Sequence, residues 1–340
     1  MNLVTGGTGF TGAHIIYQLA IDSKPVRAIY RAGSDRDFVK RVFSLYTADY
    51  NHYFNSIEWV EADMLHYDSI KEAMQGVEAV FHASAVVSFD PRRAKEIIDI
   101  NVHGTANLVD AAIECGVKRF CHVSSIAALG DANEDGFVTE KSTWVKSKGK
   151  SAYSISKFRS EMEVWRGANQ GLNVVIVNPG VILGPARWES GSGQYFDRIA
   201  KGLPFYTDGV TGYVDVRDVA KVLVELSQHD DCTNQRYILC SDNLSFGKVF
   251  TMIANALGKR KPFIGVKPWM ISLIVPFVWL LGKLSKNSDG LSTSSLRSGF
   301  EKTYYSSDKV RQALGFHFIP IAETIAFTAS VYLNEKGLRG

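Results

Sequence analysis

Short apolar, β-branched runs alternate with longer stretches of helical periodicity through the first half of the chain. The runs at residues 2–4, 26–30, 57–60, 79–82, 119–124 and 174–178 read as strands. Between them, residues 11–20 put Ile15, Ile16 and Leu19 on one helical face, and residues 95–112 and 153–168 are helical in the same sense. This alternation predicts βαβ units, hence an α/β protein with a doubly wound parallel sheet covered by helices on both faces. Right-handed crossovers bring the strand C-termini to one edge, where such sheets bind ligands.

Beyond residue 179 the pattern changes. Residues 179–212 are rich in Gly and aromatics, as a pocket-forming segment would be; 213–216 reads as a strand and 219–227 as a helix. From residue 242 onward, helices separated by Gly and Pro are expected. The predicted division is a ligand-binding unit of 1–178 and 211–240, and a smaller, mostly helical substrate region of 179–210 and 241–340. The serine-rich residues 285–298 read as an exposed loop. The apolar stretch 268–284 is interrupted by Pro276 and is shorter than the roughly 18 to 20 residues of a spanning helix. It reads as a helix roofing the substrate pocket, in preference to one lying on a membrane surface between Lys259, Arg260, Lys261, Lys267, Lys283 and Lys286.

Composition narrows the function. A chain of 340 residues with 46% hydrophobic and 21% charged residues is neither disordered nor a disulfide miniprotein. With 38 Lys plus Arg against 35 Asp plus Glu, nothing favours nucleic acid as a partner. Cys115, Cys121, Cys232 and Cys240 form no C-x-x-C pair and no metal-site spacing, so reduced structural thiols and no metal are expected. The first strand begins next to Met1, which leaves no room for a secretory leader ahead of it; a cytoplasmic protein is expected.

The segment Thr5-Gly6-Gly7-Thr8-Gly9-Phe10-Thr11-Gly12 lies between the first strand and the first helix. Gly6, Gly9 and Gly12 allow a sharp turn and close ligand approach, while the free N–H groups at the helix start face a pyrophosphate. A dinucleotide is the expected ligand, and its choice is read at the end of the second strand. No carboxylate occupies that tip; Arg31 does, which favours NADP over NAD. Asp63 and Met64 follow the third strand at the same edge, where a carboxylate can accept from an adenine amino group or cap the next helix.

Tyr153 and Lys157 stand four apart on one helical face. An ammonium there is expected to lower the phenol pKa from about 10 and let Tyr153 act as acid or base. The fifth strand ends in Ser124-Ser125, so a hydroxyl at the ligand edge can bind a carbonyl oxygen beside Tyr153.

The glycine turn, Val80-Phe81-His82-Ala83-Ser84-Ala85, Asn101-Val102-His103-Gly104-Thr105-Ala106-Asn107, Val123-Ser124-Ser125, Tyr153 with Lys157, and Asn178-Pro179-Gly180-Val181-Ile182-Leu183-Gly184-Pro185 occur in this order. Together they resemble the extended short-chain dehydrogenase/reductase family, also called the NAD-dependent epimerase/dehydratase family, over 1–241. The resemblance implies a Rossmann fold. It implies Tyr153 as acid/base, Lys157 as the group that tunes it and holds the nicotinamide ribose, and Ser125 as the carbonyl-polarising residue. Asn101 is implied to help order a proton-relay water. Ala83, Ser84 and Ala85 would pass close to the cofactor, and Pro179, with the N–H groups through Val181, would meet the nicotinamide amide. A homodimer packed through the helices bearing Asn101 and Tyr153 is implied as well.

Within that family, sugar-nucleotide enzymes carry an Arg just before the Y-V-x-D strand; Tyr213-Val214-Asp215-Val216 lacks it. An Arg clamp is the natural partner of a diphosphate. Val123-Ser124-Ser125-Ile126-Ala127-Ala128-Leu129-Gly130 is similar to the dihydroflavonol reductase and 3β-hydroxysteroid dehydrogenase branches. Val87 and Phe89 after the fourth strand, with Tyr195, Phe205, Trp188, Phe196 and Tyr206 in the glycine- and aromatic-rich segment, would suit an apolar or aromatic ketone. The expected activity is an NADP-dependent interconversion of such a ketone and its alcohol. The alternatives are an NAD-dependent epimerase or dehydratase with an internal redox cycle, and a cofactor-binding regulator without turnover.

Overall fold

The computed structural model describes residues 1–88, 90–145, 147, 149–270 and 299–338. Its strands are β1 (Asn2–Thr5), β2 (Val26–Tyr30), β3 (Glu58–Glu61), β4 (Ala79–His82), β5 (Arg119–Val123), β6 (Phe137–Val138), β7 (Val174–Pro179), β8 (Val181–Leu183), β9 (Phe205–Tyr206), β10 (Val210–Asp215), β11 (Gln235–Leu239), β12 (Asp242–Ser245), β13 (Ile264–Gly265) and β14 (Tyr304–Tyr305). A seven-stranded parallel sheet has the order β11-β7-β5-β4-β1-β2-β3. The order reverses at β1, which lies between β4 and β2, so the ligand crevice expected of a doubly wound sheet opens where β1 ends.

The helices are α1 (Phe10–Ile21), α2 (Asp37–Ser44), α3 (Tyr50–Asn55), α4 (Tyr67–Ala73), α5 (Ala94–Ile98), α6 (Gly104–Glu114), α7 (Ala152–Asn169), α8 (Gly193–Ala200), α9 (Val216–Leu226), α10 (Phe246–Ala256), α11 (Asp308–Leu314) and α12 (Ile321–Glu335). Strand side chains alternate between two layers. Val4, Phe81, Val175 and Val177 pack with Ile15, Ile16 and Leu19 of α1 and Val219 and Leu223 of α9. Leu3, Val80, Phe120 and Ile176 face the other way, onto Leu108 and Val109 of α6 and Val164 of α7. Each such buried aliphatic contributes roughly 1.5–3 kcal/mol.

Some elements depart from the periodicity. The single helix expected over 95–112 is α5, a π-helical turn at Asp99–His103, and α6. The Asn101 carbonyl accepts from the Thr105 and Ser160 hydroxyls at 2.5 and 2.7 Å, so side chains take up a group that the wider turn leaves over. The strand expected at 213–216 is β10, which pairs with β8 and β12 in a separate three-stranded sheet, while α9 and β11 join the large one. Helix α2 has no counterpart in the sequence reading, although Phe38, Val39, Val42 and Phe43 form its buried face.

In the C-terminal region α8, α10 and α12 enclose a core with Leu183, Phe196, Tyr213, Ile253 and Ile325. Glu335 of α12 accepts from Arg41 of α2 at 2.5 and 2.9 Å and from the Trp188 indole at 2.7 Å, tying the region to the large sheet's helices. The loop expected at 285–298 and residues 271–284 of the apolar stretch lie outside the described residues.

Candidate active site

The glycine turn closes on itself. Gly9 N–H donates to the Gly6 carbonyl at 2.8 Å, and Gly6 has φ +68°, a left-handed backbone that favours glycine. A Cβ on Gly12 would stand 2.1 Å from the Gly6 oxygen, and one on Gly6 would stand 2.8 Å from the Ser84 backbone. Residues 83–84 therefore pass directly against the turn, and the Ala83 N–H donates to the Thr5 carbonyl at 3.2 Å. Gly9 is the N-cap of α1, no side chain caps the helix, and no acid occupies its first turn. Thr8, Phe10, Thr11 and Gly12 thus present an uncapped, positively polarised helix end. That chemistry fits the pyrophosphate of a dinucleotide.

Arg31 is exposed immediately after β2. Two further cations stand at this rim. The Arg36 guanidinium lies 4.9 Å from the Tyr30 ring centroid. Arg187 donates to the Thr8 carbonyl at 3.1 Å and to the Asp35 carboxylate at 3.0 Å. Asp35, the first acid after β2, is held below the usual carboxylate range chiefly by Arg187. Sequence reasoning missed Arg187, which is 152 residues from Asp35. Asp63 accepts from the Leu65 N–H at 2.9 Å, and the Met64 carbonyl accepts from Asn107 at 2.9 Å. The N-cap of α4 is His66, so Asp63 does not cap that helix, and Asp68 lies in its first turn.

At the end of β5 the two serines diverge. Ser124 donates to Glu161 at 2.7 Å, whereas Ser125 caps a short turn through the Ala127 N–H and is hydrogen-bonded to the Tyr153 hydroxyl. Ser151 caps α7 by accepting from the Ser154 N–H at 3.0 Å, which fixes where the face bearing Tyr153 and Lys157 begins. Lys157 is buried and donates to the Val123 carbonyl at 2.7 Å. Burial brings its pKa from 10.5 down to about 8, opposed by Glu161. Burial raises the Tyr153 phenol, and the Ser125 hydrogen bond opposes this. The lowering expected from a neighbouring ammonium is therefore corrected: Lys157 is turned to the Val123 carbonyl, and desolvation governs the phenol.

Glu161, one turn beyond Lys157, is fully buried. Its oxygens accept from Ser124 and Asn178 at 2.7 and 2.8 Å, and from Trp165 and Arg236 at 3.3 and 3.1 Å. Asn178 also donates to the Ser125 carbonyl at 3.1 Å, so one carboxylate ties β5, β7, β11 and α7 together. Asn101 is engaged on both sides: it accepts from the Val86 N–H at 2.7 Å and donates to the Val86 carbonyl and Ser156, each at 3.0 Å. His82 bridges Thr5 and Thr105 at 2.7 and 2.9 Å, and burial drives its pKa down to about 3. His122 beside it is neutral for the same reason and has no hydrogen-bond partner among the described residues.

Pro179 closes β7; the Gly180 N–H donates to the Leu239 carbonyl at 2.9 Å, and Val181 opens β8. The Gly180 N–H expected to meet a nicotinamide amide is thus already engaged by β11. Val87 is exposed, and Phe89 lies outside the described residues. Trp188 and Phe196 are core residues of the C-terminal region, and Tyr195 packs on Phe250 with ring centroids 5.3 Å apart. Phe205 stands half exposed on β9. The aromatics of 179–212 therefore do not form one pocket lining: packing between α8, α10 and α12 takes most of them into the core. Gly212, just before Tyr213, lies so close to Cys240 and Tyr305 that a Cβ would be 2.8 Å from the Cys240 sulfur, so no diphosphate-clamping Arg fits there.

The chain is 28% identical over 342 residues to a Synechocystis protein provisionally named a dihydroflavonol 4-reductase, covering 98% of this chain and 94% of that one. It is 29% identical over 344 residues to sterol demethylase protein B of Methylococcus capsulatus, covering 99% of each. The crystal structure of gox2253 superposes with a TM-score of 0.82 at 27% identity, over 100% of this chain and 99% of that one. The profile of the NAD dependent epimerase/dehydratase family matches residues 2–240. The chain therefore belongs to that family, and is an NAD(P)-dependent enzyme of the extended short-chain dehydrogenase/reductase type.

Proposed function

We propose that the protein is an NADP-dependent reductase that interconverts an apolar or aromatic ketone and its secondary alcohol. The observation that carries this reading is the hydrogen-bonded pair of Ser125 and Tyr153 beside buried Lys157. Two hydroxyls so placed can both donate to one carbonyl oxygen. Burial keeps the Tyr153 phenol protonated at neutral pH, the state a proton donor for reduction needs. Ser125 stabilises the oxygen as negative charge develops, and Tyr153 transfers its proton to that oxygen. The nicotinamide cofactor, when bound, supplies the hydride that reaches the carbonyl carbon. Lys157, cationic below about pH 8, offsets the charge left on Tyr153 and can donate to the ribose hydroxyls.

NADP is favoured because Arg31, Arg36 and Arg187 stand around the end of β2, while Asp35, the first acid after that strand along the chain, is already paired with Arg187. A carboxylate so engaged is poorly placed to accept from a ribose 2′-hydroxyl, and the cations suit a 2′-phosphate. The substrate class is supported by the missing diphosphate clamp and by relatives named for a dihydroflavonol and a sterol, ring compounds that carry no diphosphate. Fluorescence titration with NADPH and NADH tests the reading. At least about tenfold tighter NADPH binding, equivalent to ~1.4 kcal/mol, is expected. Protein that purifies with NAD retained would instead favour an internal redox cycle on a nucleotide sugar.

A further inference from the structure

Charge is unevenly distributed along the chain. Residues 243–288 contain no Asp or Glu but hold Lys248, Lys259, Arg260, Lys261, Lys267, Lys283 and Lys286. The whole chain is only +3, so a stretch at +7 leaves the remainder at −4. The described part of this stretch forms one edge of the C-terminal region. β13 pairs with β9 so that Ile264 stands opposite Phe205, and the Phe263 and Ile264 N–H groups both donate to the Pro204 carbonyl, at 3.0 and 2.9 Å. Phe205 on β9 and Phe263 just before β13 are 46% and 54% exposed, and Trp269 further along is 66% exposed.

The cations accompany these rings. The Arg260 guanidinium lies 4.2 Å from the Phe263 ring centroid. Lys267 is 3.6 Å from Asp208, and Lys201 at the end of α8 is paired with Asp197 at 2.6 Å. Lys259, Arg260 and Lys261 have no carboxylate partner among the described residues. Contacts between proteins deplete Lys at their centre, and Asp208, already beside Lys267, leaves Lys259, Arg260 and Lys261 to face their own kind on the same edge of a second copy. Exposed aromatics beside unpaired Lys and Arg are instead the pattern of a lipid headgroup contact: the rings enter the interface and the cations meet phosphates.

We propose that the edge formed by Phe205, Lys259, Arg260, Lys261, Phe263 and Trp269 docks on the surface of an anionic lipid bilayer. The proposed contact is with the bilayer surface; among the described residues no helix is long and apolar enough to span a membrane. The contact would set the C-terminal region, and with it the approach to the site, against a phase in which apolar ketones concentrate. The inference does not depend on which ketone is reduced.

The test is cosedimentation of the full chain with vesicles of phosphatidylcholine alone, or with about a third phosphatidylglycerol. Binding is expected to the anionic vesicles only and to weaken as salt is raised. The triple variant Lys259→Glu, Arg260→Glu, Lys261→Glu should bind at least about tenfold more weakly, since each cation near the surface contributes about a fivefold factor. Phe263→Ser with Trp269→Ser should also weaken binding, leaving its salt dependence in place. Unchanged NADPH binding in solution would show that these variants are folded. Failure to sediment with anionic vesicles, or sedimentation that the triple variant leaves intact, would overturn the proposal. A drop in oligomeric mass on Phe263→Ser without vesicle binding would assign the edge to a second copy, and binding only to single-stranded RNA would assign it to nucleic acid.

Discussion

The two rims of the ligand edge are built by opposite means. At the ends of β5 and β7 the polar groups are buried and bonded: Glu161 receives four donors, Lys157 is fixed on the Val123 carbonyl, and Asn101 bonds both polar atoms of Val86. At the end of β2 the groups are exposed or partly exposed cations: Arg36 lies on a ring face, and Arg187 is held by one carboxylate and one backbone carbonyl. The difference fits the role proposed for each rim. Proton transfer needs atoms held within a fraction of an ångström, which a satisfied buried network supplies. Recognition of a phosphate needs charge within a few ångströms, which solvated arginines supply at little cost in stability. Substitutions at the first rim should therefore be drastic and those at the second graded.

The largest effect is expected from Tyr153→Phe, which removes the proton donor and keeps the ring. Turnover should fall by about 10²–10⁴ with NADPH affinity unchanged, as read by steady-state kinetics beside fluorescence titration. An unchanged turnover would favour the regulator reading. Glu161→Gln should cost about 3–5 kcal/mol in urea-induced unfolding, because the amide sets a donor against donors and leaves Arg236 without its carboxylate. Pairing it with Arg236→Met should restore part of that loss; a lone Glu161→Gln as stable as the natural chain would show that the network is not cooperative.

The pH dependence sharpens the same comparison. Lys157 loses its proton near pH 8 in the folded chain and near 10.5 when unfolded. Cofactor affinity should therefore fall as pH rises through about 8. Over the window from 8 to 10.5 the unfolded chain binds more protons at this residue, so its contribution to stability rises by up to ~1.4 kcal/mol per pH unit. Affinity and stability moving together in that window would contradict the assignment. The smallest effect belongs to the β2 rim: Arg31→Ala should reduce the preference for NADPH about tenfold, ~1.4 kcal/mol, with stability within about 0.5 kcal/mol. Equal binding of NADPH and NADH by the unaltered protein would break the comparison at that rim.

Much of the site was legible because its signals are local. A strand, a glycine turn and a helix follow one another within residues 2–21, and Tyr153 and Lys157 stand one turn apart. The π-turn at Asn101 was not legible, since the helical period on either side continues and only contacts from α7 mark the break. The aromatics of 179–212 misled for a related reason: Trp188 and Phe196 have the composition of a lining, but periodicity cannot say whether a helix faces a cavity or another helix.

The sequence by itself determined the doubly wound parallel sheet, the glycine turn between β1 and α1, and the one-turn spacing of Tyr153 and Lys157, because each depends on neighbours a few residues away. Only the tertiary structure decided which charges meet. Arg187 reaches Asp35 across 152 residues, Arg236 reaches Glu161 across 75, and Phe205 comes opposite Ile264 through the pairing of β9 with β13. Such pairings are set by how packed elements stack once apolar faces are buried. A pattern along one segment specifies its buried face and carries no information about which distant segment will cover it.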